Sequence, residues 1–282
     1  MALRVLTHTN PMSDDRSFEV CKWDGQAAHC EGDELAAEEP LEIRVRGRPV
    51  TITMRTPGND QELAAGFLLT EGIVKSGRDI LRSEHCGKNE PGNVLNVLLA
   101  PEVYVDFDRL TRHVFASSSC GLCGKATIEA VQANLPAVES DLSLDPEMIA
   151  RLPDAMRNAQ QTFDRTGGLH AAAIFDQRGK LIVLREDVGR HNAVDKVIGH
   201  CLLNNVFPLE QQILLVSGRS SFEILQKSLA ARIPVVAAVS APSSLAVEFA
   251  QRSGQTLIGF LRGRRMNVYS HRHRLRFSGV EV

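Results

Sequence analysis

The sequence lacks any run of 18 apolar residues, so we expect no transmembrane helix. Its first ten residues, MALRVLTHTN, lack the apolar segment of a secretory signal peptide. Cysteine is scarce, with six unevenly spaced residues among 282, so no disulfide framework is expected. No segment matches a P-loop or a G-x-G-x-x-G pattern. We therefore expect a cytoplasmic protein with reduced thiols and without a standard nucleotide-binding motif.

The composition is that of a globular protein, with 43% hydrophobic and 23% charged residues. The net charge of -2 is unevenly distributed. Residues 1–60 contain seven Lys or Arg and eleven Asp or Glu, whereas residues 251–282 contain seven Arg and one Glu. The basic C-terminal segment indicates an anionic partner, although a solvated charged face is the alternative. We expect neither nucleic acid nor a membrane as partner.

The second half of the chain has the pattern of an α/β protein. Three short apolar runs are predicted as strands, at 212–216, 235–239 and 256–260, and helices at 222–231 and 245–252 separate them. Such alternation favours a parallel sheet that is covered on both faces. A hairpin is predicted at 169–185, and a helix at 192–203 with Asn192 as its cap.

The first half is less regular. A hairpin is predicted at 40–54, a helix at 62–70 and a strand at 94–99. A polar stretch at 141–153 is interpreted as a linker into a helix at 156–163. We expect an irregular, flexible N-terminal arm at 1–38, an N-terminal part at 39–140 that carries a reactive cysteine loop, and an α/β cofactor-binding part at 141–282.

The reactive loop is the segment Ser117–Lys125, SSSCGLCGK, which contains Cys120 and Cys123. A helix is predicted directly after it, at 126–135. A thiol at a helix N-terminus is stabilised as the thiolate by the helix dipole. On the motif alone three interpretations remain open: a redox dithiol, half of a zinc site, and a nucleophile that carries sulfur.

Three loops follow the predicted strands and could hold an anion. They are Ser217–Ser221, Ser240–Ser244 and Leu261–Arg265. Two lead into helix N-termini, where free amides favour phosphate, and the third supplies guanidinium groups. Serine is also the ordinary helix cap, so each loop alone is weak evidence. Because the carboxyl ends of parallel strands meet at one edge, we expect the loops to converge.

Two further polar segments have either a structural or a functional interpretation. Glu186–Asn192 contains two carboxylates, Arg190, His191 and an amide between a strand and a helix. A hydrogen-bonded network that fixes this turn would explain them equally well. In Thr166–His170 the two glycines allow a ligand or another segment to approach the backbone closely. A structural role and a functional role explain His170 equally well.

Six ordered segments together resemble the formate dehydrogenase accessory protein family, FdhD. They are MRTPGNDQELAAGFLLTEGI, SSSCGLCG, TGGLHAAAIF, EDVGRHNAVDKVIG, SGRSSFEILQKS and VSAPSSLAVEFA. The resemblance extends from about residue 38 to about residue 270, most of the chain. It implies a cytidine-deaminase-like three-layer α/β fold with a smaller N-terminal α+β part, and a homodimer.

The resemblance also implies a function. Members of the family are described as sulfurtransferases that accept sulfur from a cysteine desulfurase as a cysteine persulfide. They transfer it to the molybdenum cofactor, bis-molybdopterin guanine dinucleotide, before insertion into formate dehydrogenase. By motif, Cys120 matches the persulfide-forming cysteine and Cys123 the second cysteine of its loop. The cofactor segment matches Phe260, Leu261, Arg262, Gly263, Arg264 and Arg265, and we add from the other loops Ser217, Gly218, Arg219 and Ser240.

Two other functions are considered. A non-catalytic chaperone that binds the cofactor would need the loops but not the thiols. A zinc-dependent deaminase would pair Cys-x-x-Cys with an upstream His-x-Glu. The chain has His29-Cys30-Glu31, about 90 residues before Cys120, and no proline precedes that cysteine. We interpret this His-x-Glu as accidental and expect no permanently bound metal.

Overall fold

The computed structural model describes residues 15–86, 92–107 and 135–277. Within them the chain forms two sheets, a separate hairpin and six α-helices. The helices are α1 Asp60–Thr70, α2 Pro146–Arg157, α3 Gln161–Thr166, α4 Arg190–Leu203, α5 Phe222–Ala230 and α6 Ser244–Ser253.

A six-stranded sheet is formed by the second half of the chain, in the order β12-β11-β10-β9-β7-β8. Its strands are β7 His170–Phe175, β8 Leu181–Asp187, β9 Ile213–Val216, β10 Val235–Ala238, β11 Thr256–Arg262 and β12 Arg265–Val268. The central strands β9, β10 and β11 are parallel, as predicted. The sheet as a whole is mixed, because β7, β8 and β12 join it antiparallel.

A four-stranded sheet is formed by the first half, in the order β4-β3-β6-β5. Its strands are β3 Glu39–Val45, β4 Arg48–Arg55, β5 Ile80–His85 and β6 Val94–Leu99. The hairpin β3–β4 and the strand β6 confirm the sequence predictions. The pairing of β3 with β6 is parallel and joins segments that are far apart in sequence.

Both faces of the six-stranded sheet are covered. Successive side chains of a strand point to opposite faces, so alternate residues of one strand belong to different cores. On one face, Ile213 and Leu215 pack with Ile149 of α2. On the other, Leu214 and Val216 belong to a larger core that includes α1, α4, α5 and α6. The predicted α/β fold class is therefore confirmed.

The larger core crosses the predicted division at residue 140. It contains Leu41 and Leu95 of the four-stranded sheet, Leu63 of α1, and Val197 of α4. The division into an N-terminal and a C-terminal part stays a prediction of chain organisation, but the described elements on its two sides share one hydrophobic core.

Residues 15–36 differ from the expected irregular arm. They form an antiparallel hairpin of β1 Asp15–Trp23 and β2 Ala28–Ala36. The prediction of an irregular segment was wrong here because the strands are polar on both faces. Most of their side chains are exposed, so the alternation of apolar and polar residues that identifies a strand is absent.

The segment 141–163 also differs from the prediction. The helix α2 begins at Pro146, inside the proposed linker, after Asp145, whose carboxylate accepts a hydrogen bond from the Glu147 amide. Pro146 is in the first turn, where proline is tolerated. Pro153 lies inside α2 and was misread as a boundary. The predicted single helix at 156–163 is thus the end of α2 followed by the start of α3.

Candidate functional site

A cleft lies at the edge of the six-stranded sheet where β9, β10 and β11 end and the antiparallel strand β7 begins. Its volume is about 700 Å³. The helices α2 and α3 form its other wall. The lining residues are Pro153, Asp154, Met156, Arg157, Gln160, Phe163, Gly167, Gly168, Leu169, His170, Ser217, Val239, Leu261, Arg262 and Gly263. The position agrees with the general rule that ligands of open α/β sheets bind beyond the carboxyl ends of the strands.

Four of the ten predicted cofactor residues line this cleft. They are Ser217, Leu261, Arg262 and Gly263. Arg262 is held in place by a hydrogen bond from its Nε to the Val239 carbonyl at 2.9 Å. Leu261 is fully buried in the core beneath the cleft. Its apolar side chain supports the wall of the cleft and cannot form hydrogen bonds with a ligand.

Other predicted residues lie around the rim. Gly218 is next to His170, since a Cβ on this glycine would be 3.3 Å from the imidazole Nδ1. Phe260 is 41% exposed, and its amide donates to the Ser240 carbonyl at 3.1 Å. Phe260 and Gly263 both have positive φ, at 52° in the irregular part of β11 and at 54° in the turn between β11 and β12.

Three predicted arginines are not in the cleft lining. Arg264 forms an ion pair with Glu147 on α2, and its side chain is 80% exposed. Arg265 is an exposed residue of β12 and is paired in register with Arg262. Arg219 is exposed in the loop after β9. Of the four predicted arginines, Arg262 is therefore the one that lines the cleft.

Ser217 has a structural role that its position in a hydroxyl-rich loop did not indicate. Its Oγ accepts a hydrogen bond from the Ala171 amide at 2.9 Å. Its own amide donates to the Ala171 carbonyl at 2.9 Å. Both interactions extend the pairing of β7 with β9, so Ser217 holds His170 and the rest of the strand end at the cleft.

His170 is the titratable ring in the cleft. The pKa of His170 is lowered from its ordinary value of 6.5, first by desolvation and then by the positive charge of Arg190 and by His191. The neutral ring therefore predominates at neutral pH. The sequence left its role open, and the structure places it among the lining residues.

Sequence reasoning missed the helical wall. Arg157 and Gln160 line the cleft, and the Arg157 guanidinium lies 4.8 Å from the centre of the Phe163 ring. The wall could have been found from the Asp145–Pro146 pair, an N-cap followed by proline, which is a helix-start signal.

The polar segment Glu186–Asn192 forms the structural network that was one of its two interpretations. Asp187 is fully buried and accepts hydrogen bonds from Lys196 Nζ at 2.7 Å and from the side-chain Nδ2 of Asn192 at 3.0 Å. Lys196 is 1% exposed and also donates to the Thr56 carbonyl at 2.9 Å. Asn192 therefore lies inside α4 as a network residue, and Gly189 occupies the cap position.

Glu186 connects this network to the cleft. Its carboxylate accepts hydrogen bonds from the amides of Thr162 at 2.9 Å and Phe163 at 2.8 Å. These are free amides of the first turn of α3, and a carboxylate is favoured there. Glu186 thereby fixes the helix that carries Phe163 into the cleft wall.

The predicted reactive cysteines, Cys120 and Cys123, lie outside the described residues, as does most of the predicted helix at 126–135. Their roles stay predictions. In the described part of the chain, no group of three or more His, Cys, Asp or Glu side chains could hold a metal ion. His29 and Glu31 are exposed on β2, with side-chain exposures of 56% and 45%.

Among the helices of residues 15–86, 92–107 and 135–277, none has the length and apolar character needed to cross a bilayer.

The fold and the cleft define a mixed α/β protein with a candidate binding site at the carboxyl edge of its sheet. The chain belongs to the FdhD/NarQ family, whose model matches residues 36–276. It is 53% identical over 251 residues to the sulfur carrier protein FdhD of Streptomyces avermitilis, covering 86% of this chain and 89% of that one. The FdhD sulfur carrier protein of Mycobacterium tuberculosis is also 53% identical, covering 86% and 91%.

A solved structure is similar over nearly the whole chain. It is the crystal structure of a protein from Desulfotalea psychrophila described as a formate dehydrogenase accessory protein. The two structures superpose with a TM-score of 0.75 at 25% identity, covering 94% of this chain and 100% of the other.

Proposed function

We propose that this protein is a sulfurtransferase of formate dehydrogenase maturation. It accepts sulfane sulfur from a cysteine desulfurase on Cys120 and transfers it to the molybdenum cofactor, bis-molybdopterin guanine dinucleotide, which is its substrate. The observation that carries the proposal is the cleft of about 700 Å³ at the carboxyl edge of the sheet, lined by Arg262, His170 and glycine backbone. Membership of a family that includes sulfur carrier proteins supports it.

The cleft suits the phosphate and guanine groups of a pterin dinucleotide. Arg262 supplies a guanidinium group, which binds phosphate through charged hydrogen bonds. Gly167, Gly168 and Gly263 leave the backbone accessible to a ligand. The proposed substrate is large, so part of it also extends beyond the cleft.

The sulfur step is thiol exchange. The Cys120 thiolate attacks the outer sulfur of the desulfurase persulfide, the S–S bond of that persulfide breaks, and the desulfurase cysteine leaves as a thiolate. Cys120 then carries one additional sulfur atom. Cys123 is in position, by sequence, to assist or to receive that sulfur.

The chaperone alternative rests on the same cleft. A protein that only held the cofactor would need the cleft and not the thiols. The deaminase alternative has less support, because His29 and Glu31 are exposed on β2 and neither residue lines the cleft.

The substitution Cys120→Ser distinguishes transfer from storage. Serine has nearly the same volume but is a much weaker nucleophile without an activating base. The variant should fold, bind guanosine diphosphate as the wild type does, and gain no sulfur when incubated with a cysteine desulfurase and cysteine, as read by intact mass. In cells that lack the native protein it should leave formate dehydrogenase inactive.

Cys86→Ser is the matched control, since it removes a partly exposed thiol outside the reactive loop. It should load sulfur and support formate dehydrogenase as the wild type does. Full formate dehydrogenase activity with Cys120→Ser would contradict sulfur transfer through this residue and leave the chaperone function.

A further inference from the structure

Two cysteines outside the reactive loop face each other on the N-terminal hairpin. Cys21 of β1 and Cys30 of β2 are partners in the antiparallel register. Both are exposed and have free thiols. The facing Cys21 thiol raises the pKa of the Cys30 thiol, first through hydrogen bonding and then through its charge.

The position of the pair in the ladder suits a direct S–S bond. At the turn, the Asp24 amide donates a hydrogen bond to the Ala27 carbonyl at 3.2 Å, so Asp24 and Ala27 are a hydrogen-bonded pair. Hydrogen-bonded and non-hydrogen-bonded pairs alternate along an antiparallel ladder. Three steps along the ladder, Cys21 and Cys30 are a non-hydrogen-bonded pair, with no register shift between the turn and this position.

The spacing of such a pair lies within disulfide geometry. Cα atoms of non-hydrogen-bonded partners are about 4.5 Å apart. Disulfides join Cα atoms that are about 4.4–6.8 Å apart. A bond between these two sulfurs therefore requires no movement of the strands.

We propose that Cys21 and Cys30 form a reversible cross-strand disulfide by exchange with a low-molecular-weight disulfide. One thiolate attacks the small disulfide, whose S–S bond breaks, and one small thiol leaves. The second cysteine attacks the mixed disulfide, and the second small thiol leaves. The protein dithiol is oxidised, and one small disulfide is reduced to two thiols.

The pair lies outside the segment that matches the family. It lies before residue 36, where the match to the family begins. The hairpin is nevertheless close to the cleft wall. Glu34 of β2 forms an ion pair with Arg165 of α3 at 3.5 Å, and a Cβ on Gly168, a cleft residue, would lie 3.6 Å from Ala36. A crosslink at Cys21 and Cys30 would stiffen this hairpin beside the cleft.

Peptide mapping tests the proposal directly. The folded protein is incubated with glutathione disulfide, free thiols are alkylated, and the protein is digested with trypsin without reduction. Cleavage after Lys22 separates the cysteines, so a disulfide joins peptide 17–22 to peptide 23–44. We expect this linked pair in most molecules, lighter by two hydrogens than the sum of the thiol peptides, and its loss after dithiothreitol.

Variants distinguish the pair from general thiol oxidation. Cys21→Ser should stop at a glutathione mixed disulfide on Cys30, because the second thiol is missing, and Cys30→Ser should stop likewise on Cys21. Cys86→Ser should form the linked peptides to the same extent as the wild type. The proposal is overturned if the wild type keeps both thiols alkylated, accumulates mixed disulfides at these positions, or crosslinks between chains instead.

Discussion

At the scale of single residues, the environment of each side chain decides its chemistry. Burial and the Glu62 carboxylate raise the pKa of Cys201 to about 12, so this thiol is inert at neutral pH. Asp187 and Lys196 are both buried and charged, and their mutual contact, with the surrounding hydrogen bonds, compensates the loss of hydration. His170 lacks such compensation and has a lowered pKa at the edge of the cleft.

The first prediction concerns the titration of His170. In the folded protein its C2 proton should titrate below pH 6.5, the ordinary value, because desolvation and the charges of Arg190 and His191 oppose protonation. Between the lowered pKa of folded His170 and the ordinary pKa of the unfolded chain, the unfolded chain binds more protons. This group therefore makes the protein less stable as pH falls below 6.5. Proton NMR, with His170→Gln to assign the signal, measures the shift.

Ligand binding supplies the control for that measurement. Guanosine diphosphate in the cleft would place negative charge near His170 and offset the nearby positive groups, so the pKa should rise on binding. A titration midpoint at or above 6.5 in the free protein, or one that falls with the nucleotide, would contradict the position assigned to this ring.

At the scale of elements, the close crossing of α1 and α4 connects the two sheets. Gly66 of α1 lies against the Asp195 carbonyl, and Gly199 of α4 lies against the Glu62 carbonyl. A Cβ at either glycine would be 1.8 Å from that oxygen. The absence of a side chain at these two positions therefore sets the distance between the helices.

Gly66→Ala should destabilise the protein strongly. Alanine favours the helix by about 1 kcal/mol over glycine. The backbone of α4 must nevertheless move away, which costs at least about 3 kcal/mol by the scale of overpacked cores. Urea denaturation followed by circular dichroism measures the free energy of unfolding.

Gly32→Ala is the comparison for that variant. A Cβ at Gly32 meets nothing closer than the Ser17 hydroxyl at 3.8 Å. Its effect should stay within about 0.5 kcal/mol. Equal stabilities of Gly66→Ala and the wild type would show that the helices do not approach as closely as described.

At the scale of the whole molecule, the cleft depends on segments that are far apart in the chain. The ends of β9, β10 and β11 supply one side, and α2 and α3 supply the other. Glu186 holds α3, while Arg264 on the β11–β12 turn holds Glu147 of α2. The ends of the sheet and its helical wall are thus connected by polar contacts.

This arrangement predicts unequal roles for two arginines. Arg262→Ala should weaken binding of guanosine diphosphate about tenfold or more, from roughly 1.5–3 kcal/mol for a charged hydrogen bond. Arg264→Ala should change the affinity by less than about fivefold, because an exposed ion pair contributes about 0–1 kcal/mol. Calorimetry at two salt concentrations measures the affinities of both variants. Binding of guanosine diphosphate to the wild type should weaken at high salt. Equal losses in the two variants would place the nucleotide on the outer rim.

The α/β class, the parallel central strands and the edge at which the loops meet could all be predicted from the sequence. Short apolar runs such as 213–216 and 235–238 indicate buried strands, and parallel strands place their carboxyl ends on one side. This is why Ser217 and Arg262 could be assigned to one region without a structure.

The side chains that meet at this edge could not be predicted, because they depend on packing between distant segments. Residues within one loop share the same local signal, yet Arg262 lies in the cleft while Arg264 contacts α2. The helical wall was missed because Pro153 resembles a boundary, although packing of Ile149 and Met156 keeps the helix continuous. The pairing of Cys21 with Cys30 likewise depends on strand register, which a hairpin without an apolar face does not specify in its sequence.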